Sequence, residues 1–392
     1  MNWKQKSLIT LSCPPRQDQI LADELRSMRL EPTQVRATSV ELMGTLEDCM
    51  RLNLMLRTGN KVMYLIHEFM AAGPDQLYNG AKKIAWEDII TTGIEVTIDA
   101  FVRNDHIRDF RFASMRLKDA ITDRLKDKQQ PRPRTGGSRE GLVIFLYWIQ
   151  DMVRVYIDTS GESIAKHGYR TEPHKAPLQE ALAAAILRST NWDLQGNVIN
   201  PMCGSGTLAI EAALMATNRA PGLLRSNFGF MHIQGYEADK WQEMVRMAQS
   251  VIRPRTPGRI IATDIDAQAI KAAEKNARQA GVASLIEFRQ CDFRDTPVPR
   301  GNGIVIINPE YGERLGDHVI LKDIYPAIGD FFKSKCAGYQ GYVFTGNLEL
   351  GKTVGLKTSR KLELYNGKID CRLLEFELFE GRARKTRGSD HD

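Results

Sequence analysis

The stretch Asn200-Pro201-Met202-Cys203-Gly204-Ser205-Gly206-Thr207 most constrains what this chain can fold into. It follows an apolar pair, Val198 and Ile199, and opens into Leu208-Ala209-Ile210-Glu211-Ala212-Ala213-Leu214-Met215. The pattern predicts a strand, a glycine-rich turn and then a helix. Glycine allows positive φ and lets a ligand come close to the main chain. The helix that follows presents unpaired N–H groups to whatever sits in the turn. A small-residue turn before a helix is also a common plain connection, so its meaning depends on what stands downstream.

Arg259 to Thr263 reads as a second parallel strand, ending at Asp264-Ile265-Asp266. In nucleoside-binding doubly wound sheets an acid at this strand end accepts both ribose hydroxyls. The usual separation from the turn is about twenty residues, and here the stretch Asn218 to Gly258 lengthens it to roughly sixty. Spacing alone therefore argues against the assignment. A third strand, Leu285 to Gln290, leads to Cys291-Asp292-Phe293, where Asp292 is placed to accept from an adenine amino group. A fourth, Ile304 to Ile307, ends in Asn308-Pro309-Glu310-Tyr311-Gly312-Glu313-Arg314-Leu315. A helix over Ile320 to Lys335 and a strand over Gly341 to Thr345 follow. Lys361 to Tyr365 and Cys371 to Leu378, joined across Asn366-Gly367, complete a sheet that ends in a hairpin.

Asn308-Pro309-Glu310-Tyr311 carries the most specific chemistry. It resembles the Asn-Pro-Pro-Tyr motif of methyltransferases acting on exocyclic amino groups of bases, with Glu310 replacing the second proline. An aromatic amine is a poor nucleophile because its lone pair is delocalised into the ring. The Asn308 side-chain oxygen and the Pro309 carbonyl can accept its two hydrogens and turn the lone pair toward a methyl donor. Tyr311 can stack on a flipped-out base. A plain Asn-Pro turn is the bland alternative. Both amine acceptors sit on Asn308 and Pro309, so the Glu310 exchange leaves the chemistry in place. Methyl transfer from a sulfonium is favourable, so positioning in a closed pocket suffices and no metal or hydrolytic nucleophile is required.

The first half alternates short elements. Residues 8–12 read as a strand, Asp18 to Met28 as a helix, Val35 to Val40 as a strand and Leu46 to Leu56 as a helix, a small α+β module. Further strands are expected at Lys61 to Phe69, Ile94 to Phe101, Leu142 to Trp148 and Met152 to Ile157. Helices are expected at Pro74 to Ile84 and Phe112 to Leu125, and a loop over the Pro/Gly/Arg-rich Gln130 to Glu140. Ala176 to Leu187, with Pro177 near its start, reads as a connecting helix.

Six cysteines (Cys13, Cys49, Cys203, Cys291, Cys336 and Cys371) show no C-x-x-C pair and no metal-ligand spacing, which predicts a reducing cytoplasm without structural zinc. No apolar run approaches bilayer length, and the one behind the basic start is cut off at Pro14-Pro15, too early for a secretory signal. A net charge of +6 is mild. Locally, Arg124, Lys126, Lys128, Arg132, Arg134 and Arg139 stand against Asp127 alone, and Arg382-Ala383-Arg384-Lys385-Thr386-Arg387 is a second basic run. Each suits either a solvated face or a nucleic-acid surface.

Arg116-Leu117-Lys118-Asp119-Ala120-Ile121-Thr122-Asp123, Asp158-Thr159-Ser160-Gly161-Glu162-Ser163-Ile164, Gly168-Tyr169-Arg170 and Ala176-Pro177-Leu178-Gln179-Glu180 carry no nucleophile–base logic, so Ser160 and Ser163 are not read as catalytic. The order of these pieces resembles the N-terminal half of bacterial THUMP-domain RNA methyltransferases. The long insert, beginning Asn218-Arg219-Ala220-Pro221-Gly222 and containing Phe228-Gly229-Phe230, is a feature of the same family. The likeness spans nearly the whole chain and stops at the basic tail.

The resemblance implies an α/β fold: a Rossmann-like class I methyltransferase domain preceded by an α+β ferredoxin-like/THUMP RNA-binding region. It implies a ferredoxin-like segment at 1–55, a THUMP domain at 56–160, a linker and connecting helix at 161–188, the methyltransferase domain at 189–380 and a basic tail at 381–392. The implied cofactor is S-adenosyl-L-methionine, held by Asn200, Pro201, Cys203, Gly204, Ser205, Gly206, Thr207, Asp264, Asp292 and Asn308. Asn308, Pro309 and Tyr311 are the implied catalytic residues, and Asn200 stands where the family usually has Asp. The likeness is greatest to enzymes methylating guanine N2 in 23S ribosomal RNA. It implies RNA as partner, as large-subunit ribosomal RNA or its assembly intermediate, with no membrane and no metal. An adenine-N6 DNA methyltransferase stays open, because both targets are exocyclic amines. So does an RNA-binding assembly factor with a degenerate catalytic domain, to which Glu310 and Asn200 point.

Overall fold

The protein is described by a computed structural model over residues 1–105, 107, 109–171, 178–311 and 317–379. Ala176, Pro177, the Gly312-Glu313-Arg314-Leu315 end of the fourth-strand motif and the tail 381–392 lie outside the described residues. The chain forms two compact units, Met1–Gly168 with Arg219–Ile252, and Tyr169–Asn218 with Arg253–Asp392.

The first unit begins β1 (Ser7–Ser12), α1 (Asp18–Ser27), β2 (Gln34–Arg36), β3 (Ser39–Gly44), α2 (Leu46–Met55) and β4 (Lys61–Met70). It continues α3 (Pro74–Lys82), β5 (Glu95–Arg103), α4 (Phe110–Asp127), β6 (Arg134–Thr135), β7 (Leu142–Ile149) and β8 (Met152–Asp158). Its sheet runs β2-β3-β1-β4-β8-β7-β5-β6. Two expectations change. Val35 to Val40, expected as one strand, folds back as a hairpin in which Val35 pairs with Val40 and Arg36 with Ser39. The expected loop Gln130 to Glu140 contains β6, which pairs in parallel with the start of β5.

The motifs of this half act structurally. Arg116 donates to Asp75 at 2.7 Å and lies over the Tyr78 ring. Asp158 is fully buried and accepts from the Ser160 and Gly161 N–H groups, and Ser160 accepts from the Val62 N–H. In the basic cluster Arg124 is bound to Glu87 and Arg139 to Asp99, while Lys126, Lys128, Arg132 and Arg134 are exposed.

Beyond Gly168 come α5 (Glu180–Arg188), β9 (Asn197–Pro201), α6 (Thr207–Ala216), α7 (Ala238–Ser250), β10 (Ile260–Asp264), α8 (Ala267–Gln279), β11 (Ile286–Gln290) and β12 (Gly303–Ile307). They are followed by α9 (Asp317–Lys335), β13 (Gln340–Thr345), α10 (Leu348–Lys352), β14 (Arg360–Asn366) and β15 (Ile369–Glu377). The second unit's sheet runs β11-β10-β9-β12-β13-β15-β14, parallel except for β15, which is antiparallel to both neighbours. Val198, Ile199, Ile260, Ile261 and Ile304 to Ile307 are all buried, as both-face burial of a parallel sheet requires. The closing hairpin turns one residue later than expected. Asn366 pairs with Ile369, so Gly367 and Lys368 form the turn, and only Gly367 has positive φ, the type II′ pattern.

The insert packs with the first unit although it lies within the second unit's sequence. Phe228 and Phe230 stack with centroids 5.3 Å apart, and both meet Trp241 of α7 edge-on. Arg225 lies over Phe228 and donates to the carbonyls of Ser160, Glu162 and Ser163. A Cβ on Gly222 would sit 2.6 Å from the Leu54 Cα. Arg225 and Phe230, whose N–H donates to the Thr159 carbonyl, thus join the insert to the Asp-Thr-Ser-Gly-Glu-Ser turn, while Gly222 sits against the end of α2.

Candidate active site

In the second unit the strand order reverses between β9 and β12, since β10 and β11 lie to one side of β9 and β12 to the other. A doubly wound sheet opens a crevice at the carboxyl ends of its strands at such a point. Asn200, near the end of β9, bridges it: its Nδ2 donates to the Ile306 carbonyl of β12 at 2.9 Å.

The turn after Pro201 is built on left-handed backbone at Met202 (φ 54°), Gly204 (φ 55°) and Gly206 (φ 83°). The Gly206 N–H closes it onto the Cys203 carbonyl, and α6 starts at Thr207, whose Oγ1 accepts from Arg170. Ser205 is buried, and its carbonyl accepts from Asn276 of α8. Where a side chain on Gly204 would begin, nothing lies within 4 Å. Gly206 is the opposite case, for its Cβ would stand 2.8 Å from the Ala273 Cβ. Gly206→Ala is expected to destabilise the chain by about 1–3 kcal/mol, seen as a lowered Tm, because both backbone and space oppose the methyl group. An unchanged Tm would refute that account.

Asp264, at the end of β10, is brought beside the turn despite the long insert. Its Oδ2 accepts from the Gly204 N–H at 2.9 Å and its Oδ1 from the Asp266 N–H at 3.0 Å. The next residue, Ile265, is 68% exposed, an apolar side chain held into solvent between two acids. Its only sequence signal is that isolation, and it was not among the expected site residues. Asp292 follows β11 and caps a short 3₁₀ turn. Its Oδ1 accepts from the Arg294 N–H and its Oδ2 from the Arg294 guanidinium, both at 2.9 Å. A carboxylate has lone pairs beyond these two. Cys203 is buried beside Asp264, and both burial and that charge push its thiol pKa well up, so it stays protonated.

Asn308 and Pro309 leave β12 at the crevice. The Tyr311 hydroxyl donates to Asn308 Oδ1 at 2.7 Å, and its ring meets Phe344 edge-on. The Tyr311 hydroxyl thus occupies one lone pair of Asn308 Oδ1, the atom expected to accept from a target amine. Burial pushes its phenol far up, so the hydroxyl keeps donating at neutral pH. Glu310 is exposed, with its carbonyl 3.3 Å from the Tyr325 hydroxyl.

Two features suit a nucleoside-bearing ligand. The space over Gly204 would be filled by any side chain there. Asn200 Oδ1 is buried with no hydrogen-bond partner among the described residues, which costs roughly 1–3 kcal/mol until a donor arrives. Among the described residues no group of three His, Cys, Asp or Glu side chains could hold a metal ion.

The sheet order, its reversed last strand and the glycine cradle beside a strand-end acid define a Rossmann-like methyltransferase domain. Three family models match the chain in order: the RlmL ferredoxin-like domain at 9–63, the THUMP domain at 71–158 and the RMKL-like methyltransferase domain at 167–375. The chain belongs to this RMKL-like methyltransferase family. It is 37% identical over 385 residues to the ribosomal RNA large subunit methyltransferase K/L of Syntrophotalea carbinolica, covering 95% of this chain and 53% of that protein. It thus spans about half the length of the K/L relatives it matches. The crystal structure of SMU.472, described as a methyltransferase and complexed with SAH, superposes with a TM-score of 0.86 at 27% identity over 97% of this chain and 100% of that one. A Listeria monocytogenes protein described as a predicted N6-adenine-specific DNA methylase gives 0.85 at 28% identity, covering 95% and 96%. No helix among the described residues is long and apolar enough to cross a membrane.

Proposed function

We propose that this chain transfers a methyl group from S-adenosyl-L-methionine to guanine N2 of large-subunit ribosomal RNA, or of its assembly intermediate, in the cytoplasm. The observation that carries the reading is the placing of Asn308-Pro309 across the strand switch point from the glycine cradle. When bound, the cofactor supplies an activated methyl on a sulfonium. Gly204, Ser205 and Gly206 line it, with Asn200, Pro201, Cys203 and Thr207 around them. Asp264 takes the ribose hydroxyls, Asp292 the adenine amine, and Ile265 offers apolar surface to the ring. Asn308 Oδ1 and the Pro309 carbonyl hold the two hydrogens of the target amine, so that its lone pair faces the methyl carbon. The N–CH3 bond would form as the S–CH3 bond breaks, leaving S-adenosylhomocysteine, and the acidic methylated ammonium would lose one of those protons to water. The target amine displaces the Tyr311 hydroxyl from Asn308, exchanging one hydrogen-bond donor there for another, and the Tyr311 ring stacks on the base.

RNA is favoured by the THUMP match and by the exposed Lys126, Lys128, Arg132 and Arg134. The DNA adenine reading draws on the name of the Listeria protein. The degenerate-domain reading rests on Glu310 and Asn200 alone. The test is labelled-methyl transfer to unmodified ribosomal RNA, transfer RNA and duplex DNA, followed by nucleoside mass analysis. Methylguanosine from ribosomal RNA is expected. Methyladenine from DNA would overturn the RNA assignment, and failure to bind the cofactor would overturn the enzyme.

A further inference from the structure

We infer that Asn347, backed by Tyr325 and Thr345, is a positioning residue that fixes the base-holding segment 308–311, an inference resting on the function proposed above. The segment leaves β12 in no regular structure, so no ladder sets where the Asn308 amide and Pro309 carbonyl point. Its last two carbonyls are held from the side. Asn347 Nδ2 donates to the Tyr311 carbonyl at 3.1 Å, and the Tyr325 hydroxyl lies 3.3 Å from the Glu310 carbonyl. Both holders refer to Thr345, a fully buried residue at the end of β13. Thr345 Oγ1 accepts from the Asn347 N–H at 2.9 Å and lies 2.7 Å from the Tyr325 hydroxyl. Asn347 Oδ1 in turn accepts from the Leu350 N–H at 3.0 Å, capping α10. The amide thus needs both ends, an acceptor for the helix and a donor for the segment. This chain of bonds ties the carbonyls of Glu310 and Tyr311, the two residues that follow the Pro309 carbonyl meant for the amine, to β13, the strand next to β12. A displacement of about 1 Å in such a group costs on the order of 10²-fold in rate.

Asn347→Asp separates the two jobs. The carboxylate keeps the helix cap but cannot donate, and it sets a charge against the Tyr311 carbonyl. With unmodified 23S ribosomal RNA as substrate, kcat is expected to fall about 10- to 100-fold. The Tm should stay near that of the parent and the Kd for S-adenosylhomocysteine within about twofold of it, and KM for RNA should move less than kcat. Tyr325→Phe, which removes only the second holder, should shift kcat in the same direction by less. Parental kcat in Asn347→Asp, or a fall matched by lost cofactor binding or lower Tm, would reduce Asn347 to a helix cap and overturn the inference. A parent protein that methylates no nucleic acid would overturn the proposed function itself, and this inference with it.

Discussion

Replacing Asn308 by alanine is expected to lower kcat for methyl transfer about 10²–10³-fold, the size seen when one preorganised hydrogen-bond group is removed from a reacting centre. The amine brings little nucleophilicity of its own, and in the proposed reaction Asn308 Oδ1 is the side-chain acceptor that orients it. The substitution also removes the acceptor that lies 2.7 Å from the Tyr311 hydroxyl. That loss should cost about 1 kcal/mol of stability and be visible separately in the Tm. Single-turnover incorporation of labelled methyl into ribosomal RNA measures the chemical effect. Activity within threefold of the parent would remove Asn308 from the reaction.

The second large effect is expected at Asp264. Asp264→Asn should weaken S-adenosylhomocysteine binding about 100-fold by calorimetry, since hydrogen bonds to a charged group each contribute about 1.5–3 kcal/mol. The residue has two duties. One oxygen already holds the Gly204 N–H and the other the Asp266 N–H, so the carboxylate shapes the cradle, and in the proposed reaction its remaining lone pairs go to the ribose. An amide keeps one acceptor and turns a donor against one of those N–H groups. An unchanged Kd would exclude Asp264 from the cofactor site.

What the sequence made legible was whatever a strand end advertises. Asp264 and the Asn-Pro pair directly follow short β-rich runs and Asp292 comes just past β11, so each is legible as a strand-end group, whereas the sheet order β11-β10-β9-β12 that sets them side by side is not the order of the chain. The details that escaped depend on distant partners. Asn347 acts on a carbonyl 36 residues away, and nothing in Gly346-Asn347-Leu348 announces it. The placing of the Tyr311 hydroxyl on Asn308 depends on Gly346, where a Cβ would press to 3.0 Å from the ring, and on Phe344 behind it. The hairpin over Val35 to Val40 was hidden because β-branched residues favour a strand on both sides of the Ala37-Thr38 bend. The shift of the last turn to Gly367-Lys368 follows from pairing register, which a dipeptide signal does not fix.

The insert makes each unit discontinuous along the gene. A fragment ending at Gly168 would lack the piece that carries Phe228, Phe230 and Trp241, and one starting at Tyr169 would carry that piece with its aromatic face stripped of cover. Yet where the insert departs and returns, the chain nearly touches itself: the Arg253 N–H donates to the Thr217 carbonyl at 2.9 Å. The excursion is therefore a loop with a closed neck. A tight turn of a few residues can replace it without stretching either flank, and the second unit is isolated only when that internal excision accompanies removal of Met1–Gly168, never by trimming from an end alone.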